Sequence, residues 1–269
     1  MYIKLETTRL EYFRKEQSNF RREVYQGIVD SVSSGECNGD RIGQRILLLS
    51  SFIGGPRDMK KHYMDAMALV QHFGRPDLFI TMTCNPDWIE IQQELRPGQT
   101  PQDRPDLVTR VFRAKLQDLK EQIFKKEIFG IVVAHVFVVE FQKRGLPHIH
   151  LLLILKEGHK IKSGGQYDRF ISAEIPDKYE YPILHKLVLK HMMHGPCGNK
   201  RPTNTCIQNG QCKYHYPRPY NNKSIQAKDE YPIYKTRIDG RIEIVRGLNT
   251  TNQRVVPYNS YLLKRYNSH

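Results

Sequence analysis

The chain has 269 residues and a formal charge of +14, from 42 Lys and Arg against 28 Asp and Glu. That excess calls for a polyanionic partner, and nucleic acid suits it best, because neutralised phosphates release counterions. An anionic membrane surface fits less well, since the basic residues are spread along the chain with no apolar anchor or lipidation signal beside them.

Residues 1–6 hold no apolar signal core, and the longest aliphatic run, residues 151–155, is far too short to span a bilayer. Five cysteines, three of them between positions 197 and 212, do not form the disulfide framework of a small secreted domain. Reduced thiols in the cytosol or nucleus are expected, so the sequons at Asn222 and Asn249 carry no glycan.

In chain order, residues 5–32 place Leu10, Phe13, Phe20, Val24 and Ile28 at roughly helical spacing. The basic face of that helix suits solvent or DNA. A Gly- and Asp-containing link follows at 35–43. Ser51-Phe52-Ile53-Gly54-Gly55-Pro56 reads as a turn, because it lacks the Lys-Ser/Thr ending of a nucleotide loop. Residues 78–83 are strand formers closed by Asn85-Pro86-Asp87, with Asp87 placed to cap a helix from Trp88. From 105 to 125, Leu107, Val111, Leu116, Leu119, Ile123 and Phe124 predict a helix with Pro105 in its first turn. Residues 131–142 and 148–155 predict two further strands. The expected class is α+β, with helices covering one face of an antiparallel sheet. Three regions follow: a helical segment at 1–60, a core at 61–176, and a Cys/His-rich segment with a weakly patterned remainder at 177–269.

The informative stretch is Val138-Val139-Glu140-Phe141-Gln142-Lys143-Arg144-Gly145-Leu146-Pro147-His148-Ile149-His150. A five-residue loop at 143–147 would pair Gln142 with His148 and Glu140 with His150. Alternation then puts His148, His150, Glu140 and Gln142 on one face. Two imidazoles and a carboxylate suit a divalent ion with positions open to substrate oxygens. A buried strand whose histidines merely alternate is the plain alternative. The adjoining Glu140 and Gln142 weigh against it, because a carboxylate beside two imidazoles at an apolar sheet asks for a ligand. A cupin-type iron site needs a carboxylate a few residues on, where this chain has Leu-Leu-Leu-Ile-Leu. Lys143 and Arg144 suit either a DNA backbone or a solvated hairpin tip.

A second cluster, Cys197, Cys206, Cys212 and His215, lies in a Gly/Pro/Asn-rich stretch with little hydrophobic content. Three thiolates and an imidazole suit tetrahedral zinc, with His194 or His191 as substitutes for His215. The spacing matches no common finger, and a reduced loop with incidental cysteines is the alternative.

The Glu-Phe-Gln-Lys-Arg-Gly-Leu-Pro-His-x-His string resembles the replication-initiator domain of Helitron transposon proteins. So do Ser51-Phe52-Ile53-Gly54-Gly55-Pro56-Arg57, Asp65-Ala66-Met67-Ala68, Asp77-Leu78-Phe79-Ile80-Thr81-Met82-Thr83-Cys84-Asn85-Pro86, His194-Gly195-Pro196-Cys197-Gly198 and Val255-Val256-Pro257-Tyr258-Asn259. The resemblance implies a sheet of the HUH-endonuclease type and a rolling-circle nuclease that nicks single-stranded transposon ends in the nucleus, beside a helicase domain. It implies Mg²⁺ or Mn²⁺ on His148 and His150, with Glu140 as third ligand and Gln142 as its substitute. It places residues 79–83 in the first replication-initiator motif, where most side chains are expected only to pack. The family's tyrosine pair, Tyr-x-x-Lys-Tyr, has no counterpart here; Tyr258, Tyr261 and Tyr266 are the nearest, and the nucleophile is expected beyond residue 269. Two other readings stay open: a DNA-binding remnant that cuts nothing, and a metal-dependent phosphoesterase using water.

Overall fold

A computed structural model describes residues 2–16, 29, 32–33, 35, 48–49, 51–142, 145–198, 201–226 and 232–268. The chain forms two compact units, Met1–Gly74 and Arg75–His269. The first holds α1 (Tyr2–Lys15) and α2 (Pro56–Phe73). Proline opens α2, where its missing N–H costs nothing. The turn before it buries Phe52 against the ring of Phe13, 5.2 Å between centroids. Of the helix expected over 5–32, residues 17–28, 30 and 31 lie outside the described residues, as does most of the 35–43 link.

In the second unit, β1 (Leu78–Thr83), β2 (Val132–Phe141) and β3 (Pro147–Leu155) form an antiparallel sheet in the order β1-β3-β2. The short helix α3 (Ile89–Gln92) and the long α4 (Pro105–Phe124) lie between β1 and β2 in sequence. As the central strand, β3 buries Ile149, Leu151, Leu153 and Leu155 completely. These meet Leu107, Val108, Phe112, Leu119 and Ile123 of α4 in the main core. Beyond the irregularity at 132–134, the odd-numbered residues of β2 share that face: Phe137 lies under Lys120, and His135 under Phe124. The architecture is therefore mixed helix and antiparallel sheet, as α+β requires.

Asp87 does not cap a helix from Trp88. Helix α3 starts one residue later with Trp88 at its N-cap, and no side chain caps it. Asn85 takes the local role instead, its Oδ1 accepting from the Asp87 N–H at 2.9 Å, while the Asp87 carboxylate pairs with Lys190. An Asx turn of this kind satisfies the backbone before the helix begins.

The weakly patterned remainder is ordered around a second core. Helix α5 (Gly164–Tyr167) precedes α6 (Pro182–His191), and α7 (Ser260–Tyr266) is the last described helix. Between α6 and α7 run three short hairpins: β4 (Ile207–Gln208) with β5 (Gln211–Cys212), β6 (Ile225–Gln226) with β7 (Pro232–Ile233), and β8 (Glu243–Val245) with β9 (Leu248–Thr250). Ile175, Leu184, Val188, Met193, Val255, Tyr258 and Leu263 pack together from positions far apart in sequence. Helix α7 docks on α4, with Arg265 and the Tyr266 hydroxyl both on Asp118 and the Tyr261 hydroxyl on Gln122. Among the described residues, no helix is long and apolar enough to cross a membrane.

Candidate metal centres

The β2–β3 hairpin closes more tightly than the sequence suggests. The ladder pairs Glu140 with His148 and Val138 with His150, so both expected pairings, Gln142 with His148 and Glu140 with His150, are corrected by two residues. The loop is 143–145: the Gln142 N–H donates to the Leu146 carbonyl at 2.9 Å, and Gly145 takes φ +75°. A glycine in the left-handed region lets three residues make the reversal, and Pro147 joins the strand opposite Phe141. Lys143 and Arg144 lie outside the described residues.

An even shift leaves the face unchanged. His148 and His150 point away from the main core, their ring centroids 4.5 Å apart. The Glu140 carboxylate reaches diagonally to His150, 3.5 Å from Nε2. On the other side, β1 contributes Thr83 opposite His148 and Thr81 opposite His150. The Thr83 hydroxyl lies 2.6 Å from His148 Nδ1. Phe79 stacks on His150 at 5.4 Å and is itself 59% exposed. His150 Nδ1 is shielded from solvent and has no hydrogen-bond partner. A buried ring nitrogen without a partner is costly, and a metal or a substrate group would relieve that cost. The Gln142 N–H closes the turn, and Glu140 lies within ion-pair distance of His150.

His148, His150 and Glu140 stay more open than the second cluster. His194, Cys197, Cys206 and Cys212 are the one group of three or more His, Cys, Asp or Glu, among the described residues, whose ligand atoms all lie within 4.8 Å of one another. Such a group could hold a metal such as zinc. His215, expected as the fourth donor, is outside it. Its backbone turns at φ +58° and its N–H closes onto the Cys212 carbonyl at 2.8 Å, while the side chain stays exposed. His194 arrives instead from the end of α6, with Nε2 3.5 Å from Cys212 Sγ. His191 is engaged with Asn267. The four described cysteines are free thiols; Cys84 is buried apart from the cluster, and burial pushes its thiol up to about 12.

The three tyrosines near the C-terminus hold their hydroxyls elsewhere. Tyr258 donates to the Glu174 carbonyl, Tyr261 to Gln122 and Tyr266 to Asp118. Burial raises Tyr258 above the usual phenol range, and burial with the Asp118 carboxylate raises Tyr266 further. Ser268, two residues past α7, donates to the Thr83 carbonyl at 2.5 Å.

The second unit thus combines helices with an antiparallel sheet and carries a His-x-His pair and a glutamate on its hairpin. Residues 1–153 match the family described as the Helitron helicase-like domain at N-terminus, and the chain belongs to that family. The match takes in β1, β2 and both histidines; the His194 cluster and the Val255-Val256-Pro257 stretch lie beyond it. No curated protein matches the chain significantly.

Proposed function

We propose that this chain is the metal-binding, single-strand DNA-handling part of a Helitron-type rolling-circle nuclease, with a sheet of the HUH-endonuclease type. The observation that carries the reading is the open pair His148 and His150, with Glu140 beside them and the Nδ1 of His150 shielded and unpartnered. His148 and His150, with Glu140, would hold Mg²⁺ or Mn²⁺, which when bound would polarise the scissile phosphate and offset charge developing on it.

The chain's own residues do the positioning. Thr83 fixes the His148 ring through Nδ1, so Nε2 is the nitrogen a metal would take. Phe79, exposed on the same face with Val138 across the sheet, offers an apolar platform for unpaired bases. The charge of +14 supports phosphate binding along the strand. DNA transposon ends are the proposed substrate, a helicase domain the proposed partner, and the nucleus the setting.

The engaged hydroxyls of Tyr258, Tyr261 and Tyr266 favour a specific form of this reading: the chain binds metal and single strands, and none of the three is the attacking group. The test is incubation with end-labelled single-stranded DNA and Mn²⁺, followed by a binding assay and a denaturing gel. Expected are Mn²⁺-dependent binding, weakened by His150→Ala in a folded variant, and no protein–DNA adduct that survives SDS. An adduct mapped to Tyr258, Tyr261 or Tyr266 would overturn the assignment of the tyrosines. Mn²⁺-dependent release of free cleaved ends would point to water as nucleophile. Binding indifferent to Mn²⁺ and to His150 would remove the metal site.

A further inference from the structure

We propose that His194, Cys197, Cys206 and Cys212 hold one structural Zn²⁺ that serves as the core of residues 194–216. The inference does not rest on the nuclease reading.

The ligands come as two pairs from separate segments. Cys206 and Cys212 sit at the open end of the β4–β5 hairpin, where the Lys213 N–H donates to the Cys206 carbonyl at 2.8 Å. Asn209 and Gly210, at φ +52° and +76°, make the two-residue turn that folds it back. His194 and Cys197 come from the chain leaving α6, anchored by the His194 N–H on the Arg254 carbonyl and by the Met193–Val255 bridge. Zinc–sulfur bonds of about 2.3 Å set tetrahedral donors about 3.7 Å apart. Donors already within 4.8 Å of one another reach that arrangement by shifts of less than about 1 Å. Four protein donors close the coordination sphere, which is the mark of a structural site.

The local packing has little else to hold it. Among its described residues those buried are Pro196, the three cysteines and Tyr216, with Ile207 and Val256 partly buried against the cysteines and Tyr216. Three uncharged thiols facing one another are a poor substitute for a core, and a bound metal supplies what the apolar side chains do not. The surroundings match the charge of such a centre. Three thiolates on Zn²⁺ leave one net negative charge, and Arg254 aims Nη1 at Cys197 Sγ, 3.6 Å away, while also donating to the Gly195 carbonyl. Tyr216 stacks on the His194 ring at 4.2 Å and holds its orientation.

The experiment is elemental analysis of the full chain purified under reducing conditions without added metal. About one zinc per chain is expected. His194→Ala and a Cys206→Ser/Cys212→Ser double variant should lose it, and His215→Ala should keep it. Because the cysteine variants risk misfolding, wild-type chain is also loaded with Co²⁺, which should give the intense visible bands of tetrahedral thiolate coordination. Stripping with a chelator should lower the melting temperature, and zinc should restore it. Folded, reduced protein with no zinc overturns the proposal, as does stoichiometric iron in its place. Zinc lost from His215→Ala but kept by His194→Ala overturns the ligand set.

Discussion

Strand β3 alternates between two jobs, and neighbouring substitutions should separate them. Ile149 is completely buried in the main core, whereas the His150 side chain is 35% exposed on the opposite face. Ile149→Ala removes three carbon groups, about 2.4 kcal/mol at roughly 0.8 kcal/mol each. The cavity left behind adds roughly 1 kcal/mol, so the loss should be about 3–4 kcal/mol. In a unit of this size each kcal/mol moves the melting temperature by roughly 2–4 °C, giving a fall of about 6–16 °C. His150→Ala loses a ring stacked on Phe79 and a half-exposed contact with Glu140, and should cost less than about 1 kcal/mol. Its consequence should appear in Mn²⁺ binding. Thermal and urea unfolding of both variants, with Mn²⁺ titration of each below its transition, provides the check. Equal destabilisation by the two substitutions would show that His150 belongs to the core and would refute the division of faces.

Two further outcomes test how the second unit is held together. The hydrogen bonds from Arg265, together with that from the Tyr266 hydroxyl, hold the Asp118 carboxyl well below the usual carboxylate range. A depressed folded pKa gives stability that is present above about pH 4 and lost as pH falls through the depressed value. Asp118→Asn should therefore melt lower than wild type at pH 7, with the gap beginning to narrow below about pH 4 and narrowing further as the pH approaches the depressed value; a gap no smaller at about pH 2 than at pH 7 would exclude the ionic dock of α7 on α4. Gly164→Ala should destabilise sharply, because a Cβ there would lie 1.7 Å from the Ser224 carbonyl oxygen, a backbone atom, while a Cβ at Gly165 meets nothing within 4 Å. Melting curves in which both alanine variants behave alike would show that the close approach of α5 to β6 is not real.

What the sequence makes legible here is local. The alternation in 78–83, 131–142 and 148–155 and the helical spacing in 105–125 correspond to β1, β2, β3 and α4 within a residue or two. The second core has no such signature, because its contacts join Ile175, Met193, Val255 and Leu263 across long separations and through single bridges. Choosing between His194 and His215 also needed three dimensions. Both lie within three residues of a cysteine, but the turn at 212–215 spends the nearness of His215 on a backbone bond. His194 is carried to the thiols by α6, which residue spacing does not report.

The hairpin register shows why the face of two side chains can be read correctly from sequence while their cross-strand partners are not. Loop lengths of five and three residues differ by an even shift in pairing, and only an odd slip would move the histidines to the other face. The face therefore survives the correction, but the cross-strand partner of His148 becomes Glu140 and its other neighbour becomes Thr83 of β1, in a strand most of whose residues are expected only to pack. That neighbour carries a consequence of its own. With Nδ1 occupied by the Thr83 hydroxyl at 2.6 Å, the imidazole is held in one orientation, and partners of this kind typically change metal affinity by about 10–100-fold. Thr83→Val keeps the shape and the strand preference while removing the hydroxyl, so the melting temperature should change little and Mn²⁺ affinity should fall by at least about 10-fold. Isothermal titration of Mn²⁺ into wild type and variant decides the matter. Unchanged affinity in a folded variant would mean that Thr83 only packs and that the orientation of His148 is set elsewhere.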